Sequence, residues 1–362
     1  MWNIVYFLGF FSSFILAVIL TPVSGKIARK FNVIDIPSPR KVHRVPTPLL
    51  GGLGIFFSIL LTVSAGVIFV KMDIVFPQLK IHSSGIISSL HNLFLILSIG
   101  FLVVIFGVFD DAYHLKPFTK LFLQIFVSIV LFFSGIRISL FLHNPIISFI
   151  ITTGWIVFMM NSFNLLDNMD GLSSGVALIS GVILFIFSFQ MRQLFVATLL
   201  SVFLGAVAGF LIYNFPPAKI FMGECGSSFL GFFLGTITIV ITFYKYNVSE
   251  TFLPFFAPLA VFAVPFFDTL SVIWIRKKRK LPIFKADKNH LSHRLVNLGM
   301  SKKQAVIFIY LLTFCTGLGA ILMKNLNIWG CIVVLIQVII ILSIVGILEL
   351  TGRKNGRVNN IS

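Results

Sequence analysis

Long apolar runs alternate with short polar intervals along the whole chain, from WNIVYFLGFFSSFILAVIL at residues 2–20 to IWGCIVVLIQVIIILSIVGIL at residues 328–348. A run of about 20 apolar residues is the length that crosses a bilayer as a helix. Eleven such runs are expected, near 2–21, 50–70, 88–109, 121–141, 146–164, 172–190, 194–213, 227–244, 253–275, 304–323 and 328–350. The expected fold class is therefore all-α, a polytopic integral membrane protein. Its 362 residues are expected to form a single transmembrane catalytic domain, with cytoplasmic loops near 22–49, 110–120, 165–171, 214–226 and 276–303.

Composition agrees with that pattern. Hydrophobic residues make up 58% of the chain and charged residues 11%, against roughly 25% charged in soluble domains. The first run has no basic stretch before it and no small-residue cleavage site after it, so it is expected to be a retained anchor. Lys26 to Arg44 follow it, and basic loops stay on the cytoplasmic side, which puts the N-terminus outside and the C-terminus in the cytoplasm. The net charge of +17 then reads as loop charge beside anionic headgroups, RKKRK at 276–280 included, and nucleic acid is not expected as a partner. Cys225, Cys315 and Cys331 have neither metal-like spacing nor the arrangement of a disulfide framework.

The chain has only eleven acidic residues, and six of them fall in four segments, most of which this topology places at the inner ends of spans. FGVFDDAYHLKPFTK, at 106–120, carries the adjacent Asp110 and Asp111, an arrangement favoured where a cation or proton is shared. Pro117 predicts a fresh helix start that brings Lys120 back towards them. In NSFNLLDNMDG, at 161–171, Asn161, Asn164, Asp167 and Asp170 are spaced three apart and neighbour one another if helical, with Gly171 as the stop. Ionisable groups at membrane depth are functional by default.

In NFPPAKIFMGECGSSFLG, at 214–231, a glycine turn feeds a helix whose first amides would suit phosphate. Glu224 there would suit magnesium, which takes one or two carboxylates together with phosphate and water oxygens. KADKNHLSHRLVNLGMSKKQ, at 285–304, sets His290, His293 and Arg294 on one helical face, better matched to pyrophosphate than to zinc. Carboxylates for a divalent cation, cationic groups for phosphate and glycine-rich backbone together form the toolkit of phosphoryl transfer. One substrate should be a nucleotide diphosphate compound and the other a lipid.

The segments GVFDDAYHLKPFTKLFLQ, NSFNLLDNMDGLSSG, FMGECGSSFLG, PFFDT and ADKNHLSHRL, in that order, resemble the polyprenyl-phosphate N-acetylhexosamine-1-phosphate transferase family, glycosyltransferase family 4. The last segment and the eleventh span resemble the branch that uses undecaprenyl phosphate and N-acetylglucosamine 1-phosphate. The resemblance implies transfer of that group from UDP-N-acetylglucosamine, with release of UMP, at the cytoplasmic face of the plasma membrane.

The resemblance also implies roles for particular residues. Asp110 and Asp111 would be catalytic, beside the attacking prenyl phosphate. Asn164 and Glu224 would hold Mg2+, with Mn2+ as a substitute, and Lys120 would meet the pyrophosphate. Asp170 and Asp167 would shape the nucleotide pocket, and His290, His293 and Arg294 would lie in a loop over the pyrophosphate and sugar. His43, in RKVHRVPTPLLGG, belongs to an early family motif, or is simply an interfacial loop histidine. Expected partners are a UDP-sugar, a polyprenyl phosphate lipid, the membrane and, as an option, a second copy in a homodimer.

Two positions depart from the family pattern: Glu224 replaces an Asp, and Ser292 replaces a His. The rival readings are a phospho-MurNAc-pentapeptide translocase, a relative using another UDP-sugar or, in a different class, a transporter or flippase.

Overall fold

In hydrocarbon, backbone N–H and C=O groups have no water to bond, so an apolar run must satisfy them within its own segment. The runs are accordingly helical in the computed structural model, which describes residues 2–37, 45–72, 83–139, 144–243, 252–282 and 289–358. The chain gathers into two compact units, Met1–Ile241 and Thr242–Ser362.

The first unit contains α1 (Trp2–Lys30), the two-residue antiparallel strands β1 (Ile34–Asp35) and β2 (Thr47–Pro48), then α2 (Gly51–Lys71), α3 (Ser83–Tyr113), α4 (Pro117–Phe133), α5 (Pro145–Leu166), α6 (Leu172–Gln190), α7 (Leu194–Asn214) and α8 (Gly223–Val240). The second contains a 3-10 turn (Leu253–Phe256), α9 (Ala257–Val261), α10 (Ala263–Lys278), α11 (Leu291–Asn297), α12 (Lys302–Leu322), a 3-10 turn (Met323–Asn325) and α13 (Ile328–Val358).

Helix starts follow local chemistry. Asn144 caps α5 by accepting from the amides of Ile146 and Ile147, and Pro145 and Pro117 each occupy a first helical position, where no N–H is needed. Ser301 and Gln304 form a reciprocal capping box on α12.

Among the described residues, nine helices are long and apolar enough to cross a membrane, and the bent pair 253–261 and 263–278 makes a tenth if it counts as one span. Two expected runs look different in three dimensions. The run placed at 121–141 is the shorter α4, which begins at Pro117 and stops before Gly135 (φ 92°). The run placed at 253–275 bends by 68°, with Pro254, Pro258 and Pro265 around the break removing ladder donors. The three cysteines are free.

α8 is the core of the first unit, with 83% of its apolar window buried against 22% for α1. It packs on α2, α3, α5 and α6 through small residues, as membrane helices do where backbones approach closely. A Cβ on Gly107 of α3 would meet the Cys225 backbone, and one on Gly52 of α2 would meet Gly226. On α8 itself, a Cβ on Gly231 would meet the Met159 and Met160 backbone of α5.

Overpacking of this kind costs about 1–3 kcal/mol. Gly107→Ala and Gly231→Ala should therefore lower the melting temperature in detergent by several degrees, measured by thermal-shift chromatography. Gly66→Ala and Gly154→Ala, where a Cβ meets nothing within 4 Å, should leave it unchanged or raised.

Candidate active site

The first amides of a helix lack intrahelical acceptors and carry the positive end of its dipole. At the start of α8 those amides face Asp111, on the last turn of α3. The Asp111 carboxylate accepts from Glu224 N at 2.7 Å and Cys225 N at 3.2 Å. Gly223 (φ 73°) lies so close to Asp111 that a Cβ there would collide with the carboxylate. The amides expected to face phosphate are thus occupied by a side chain of the protein.

Adjacent residues on a helix point about 100° apart, and Asp110 has different partners from its neighbour. One of its oxygens accepts from Leu115 N at 2.7 Å, and the other meets Lys120 Nζ at 2.6 Å. Each of the two aspartates thus has its own protein donors. The expected return of Lys120 is seen: α4 starts at Pro117 and puts Lys120 between Asp110 and Glu224, whose Oε1 is 2.6 Å from Nζ. Glu224 Oε2 is met by the Asn164 amide and, at 3.4 Å, by the Ser228 hydroxyl. Asn164 Nδ2 also reaches Ser227 Oγ at 3.3 Å. Glu224 is therefore gripped on both oxygens, by α4 on one side and α5 on the other. Lys120 keeps a third of its side chain exposed, so water and solutes can reach the bridge.

The polar row expected along one helix is broken. α5 ends at Leu166, so Asn161 and Asn164 are helical, Asp167 is the cap, and Asp170 lies in the turn beyond. Gly171 (φ 72°) introduces α6 and is not the stop of α5. Asp170 Oδ2 accepts from Ala218 N at 2.9 Å, which fastens this turn to the segment between α7 and α8. Asn214, missed in the sequence, does the same: its Oδ1 accepts from Gly171 N (3.1 Å) and Ser174 Oγ (2.9 Å), and its Nδ2 donates to Ile220 O (3.0 Å). The available signal was an amide closing an otherwise apolar helix just before Pro216 and Pro217. Burial pushes the Asp167 carboxyl up to about 8, and the nearby carboxylates of Glu224, Asp111 and Asp170 add to the rise.

Among the described residues, no three His, Cys, Asp or Glu side chains converge on one point as a closed metal cage. Magnesium needs fewer protein ligands, because it keeps waters and substrate phosphates. Glu224, Asn164, Ser227 and Ser228 offer oxygen-bearing groups around one carboxylate, and the Asn164 amide can present either end after a half-turn. That donor set fits a hard divalent cation.

The second unit has its own charged cluster, built differently from the expected helical face. His290 precedes α11 in extended backbone, and its Nδ1 is 2.9 Å from Asp268 Oδ2. Asp268 Oδ1 accepts from Leu291 N at 2.6 Å. Arg294 donates to Glu349 (3.0 Å), Asn289 O (3.0 Å) and Ser271 Oγ (2.9 Å) and is buried. These bonds all lie within the second unit and order the Arg294 guanidinium there. His293 lies half-buried on α11. Asp268 and Glu349 escaped the sequence reading as site residues, although each is an acid inside an apolar run. His43 lies outside the described residues.

Residues 93–242 match the family model described as Glycosyl transferase family 4. The chain is 32% identical over 356 residues to a Bacillus subtilis protein named "Probable undecaprenyl-phosphate N-acetylglucosaminyl 1-phosphate transferase", covering 96% of this chain and 92% of that one. It is 31% identical to the decaprenyl-phosphate N-acetylglucosaminephosphotransferase of Mycolicibacterium smegmatis, over 81% of this chain and 76% of the relative. A phospho-N-acetylmuramoyl-pentapeptide-transferase of Staphylococcus epidermidis is 27% identical, over 84% and 94%. With these similarities along nearly its whole length, a bundle of membrane-spanning helices and the acid, lysine and amide residues gathered around Glu224, the chain belongs to glycosyl transferase family 4.

Proposed function

We propose that the protein transfers N-acetylglucosamine 1-phosphate from UDP-N-acetylglucosamine to undecaprenyl phosphate, releasing UMP, as the first membrane step in building a cell-envelope polysaccharide. The observation that carries this reading is the Lys120–Glu224–Asn164 bridge, a carboxylate held between an ammonium and an amide at a solvent-reachable helix end. In the reaction, an oxygen of the lipid phosphate attacks the phosphorus bearing the sugar, and the P–O bond to UMP breaks. The lipid keeps the new pyrophosphate link and UMP carries away the displaced charge. Catalysis of this kind is mostly positioning and neutralisation.

Glu224 and Asn164 would hold Mg2+, or Mn2+ in its place, which would draw charge from the pyrophosphate oxygens. Lys120 neutralises the same oxygens once substrate loosens its bond to Asp110 or Glu224. Asp110 restrains Lys120, while Asp111 fixes the start of α8 and with it the reach of Glu224. Asp167, Asp170 and Asn214 shape the turn on the nucleotide side. The family resemblance assigns His290 and His293 to the donor's pyrophosphate and sugar, and within the second unit Arg294 braces the start of α11. The positive-inside pattern supports eleven crossings, with α4 as a short one and the bent pair as one, an external N-terminus and a site at the cytoplasmic face of the plasma membrane.

Purified protein with Mg2+, undecaprenyl phosphate and UDP-N-acetylglucosamine should release UMP, and EDTA should stop the release. Silence with every UDP-sugar offered, UDP-MurNAc-pentapeptide included, would overturn the reading.

Glu224→Gln should lower kcat by about a hundredfold or more while the melting temperature holds, since Lys120 keeps Asp110 as its partner and removing one oxyanion-type contact costs about that much.

Asp111→Asn should differ in kind, lowering melting temperature as well as kcat. It removes the charge that holds two helix amides, worth about 1–2 kcal/mol. Unchanged melting in Asp111→Asn would remove its anchoring role.

A further inference from the structure

Gln124 and Asn161 stand at the ends of two of the quoted motifs, yet no role in the proposed reaction falls to either. Gln124 lies on α4 one turn beyond Lys120, and Asn161 lies on α5 one turn before Asn164. Residues four or three apart share a helix face, so each amide sits directly beneath a residue of the Glu224 bridge. The two amides meet: Asn161 Nδ2 donates to Gln124 Oε1 at 2.6 Å and also to the Val157 carbonyl at 2.8 Å. Gln124 is buried and lines the cleft whose polar end is formed by Asp110, Lys120, Glu224 and Ser228.

The geometry has two rungs between α4 and α5. The upper rung runs from Lys120 through the two oxygens of Glu224 to Asn164, and the lower is the direct Gln124–Asn161 bond. The upper rung must open when phosphate, and a cation if one binds, compete for Lys120 and Glu224. The lower rung has no charge to lose and can hold the two helices at their spacing through that change.

We infer that Gln124 and Asn161 are positioning residues which keep Lys120 and Asn164 at a fixed separation across Glu224 during turnover. The inference rests on the proposed transferase reaction. Single hydrogen bonds between membrane helices contribute little to folding, because unfolded helices find other partners. An effect on rate larger than the effect on stability is therefore the signature of positioning.

The test compares Gln124→Met, Asn161→Leu, the double variant and the amide-swapped Gln124→Asn/Asn161→Gln protein, all in detergent. Each single variant should melt close to the unsubstituted protein, lose about ten- to a hundredfold in kcat, the scale set by misplacement of about 1 Å, and keep KM for both substrates. The double variant should be no slower than the singles, since one bond is removed in all three. Swapping the amides conserves their combined length and should restore most of kcat.

A substrate-free readout accompanies the kinetics. Acylation of Lys120 by an amine-reactive ester, followed by peptide mass spectrometry, should quicken severalfold in the single variants and return towards normal in the swap, with Lys219 as internal reference. Wild-type kcat with unchanged Lys120 acylation would overturn the inference, as would additive losses that the swap does not repair. If the unsubstituted protein is inert with every UDP-sugar, the transferase reading fails, and the Lys120 acylation rates alone decide the positioning role.

Discussion

The carboxylate of Asp111 on the first amides of α8 is the contact on which the rest of the site depends. A helix start packed among other helices needs an acceptor for its first amides. Asp111 supplies two bonds and a charge matched to the helix dipole. The closeness of that contact explains the glycine at 223, and the glycines at 52 and 107 let α2 and α3 come within backbone distance of the same turn. Glu224 is the second residue of α8, so fixing the helix start fixes where its carboxylate can reach.

Around that fixed point, the charges of Asp110, Lys120 and Glu224 are shared out among partners. Lys120 sits between Asp110 and Glu224, and Asn164 takes the remaining oxygen of Glu224. Burying an isolated charge is costly, whereas a paired and hydrogen-bonded one is tolerated. The arrangement has a chemical use as well as a structural one. A lysine held by two carboxylates is a cation that incoming phosphate oxygens can claim, and a carboxylate so released can turn to a metal. Asp167 is pushed up to about 8 first by burial and then by the nearby carboxylates of Glu224, Asp111 and Asp170.

The second unit solves a similar problem with different pairs. Asp268 receives both His290 and the following amide, and Glu349, in the C-terminal half of the last long helix, receives Arg294. These bonds fasten the start of α11 to α10 and α13. They also give Arg294 a bracing role within this unit.

Hydropathy alone was enough to specify a polytopic helical protein, since about twenty apolar residues in lipid have no backbone solution other than a helix. The scarcity of acids was equally informative: in a chain this apolar, each retained carboxylate needs a reason, and Asp110, Asp111, Lys120, Asn164 and Glu224 were legible as one cluster on that ground and by resemblance. Local signals such as Pro117 also predicted the turn that returns Lys120.

Partner choice was not legible. Spacing says which residues share a helix face, but whether Asp111 meets a cation or a helix start, and whether Arg294 meets phosphate or Glu349, depends on contacts across 113 and 55 residues of chain. Asn214, Asp268 and Glu349 were missed for the same reason, because a polar residue in an apolar run reveals its purpose only through what lies opposite. The sequence determined which groups had to be paired, since an ionised side chain in an apolar surrounding is costly unless it finds a partner. Tertiary packing decided with what, since only the close approach of α2, α3, α4, α5 and α8 brings donors and acceptors from distant segments within hydrogen-bond range.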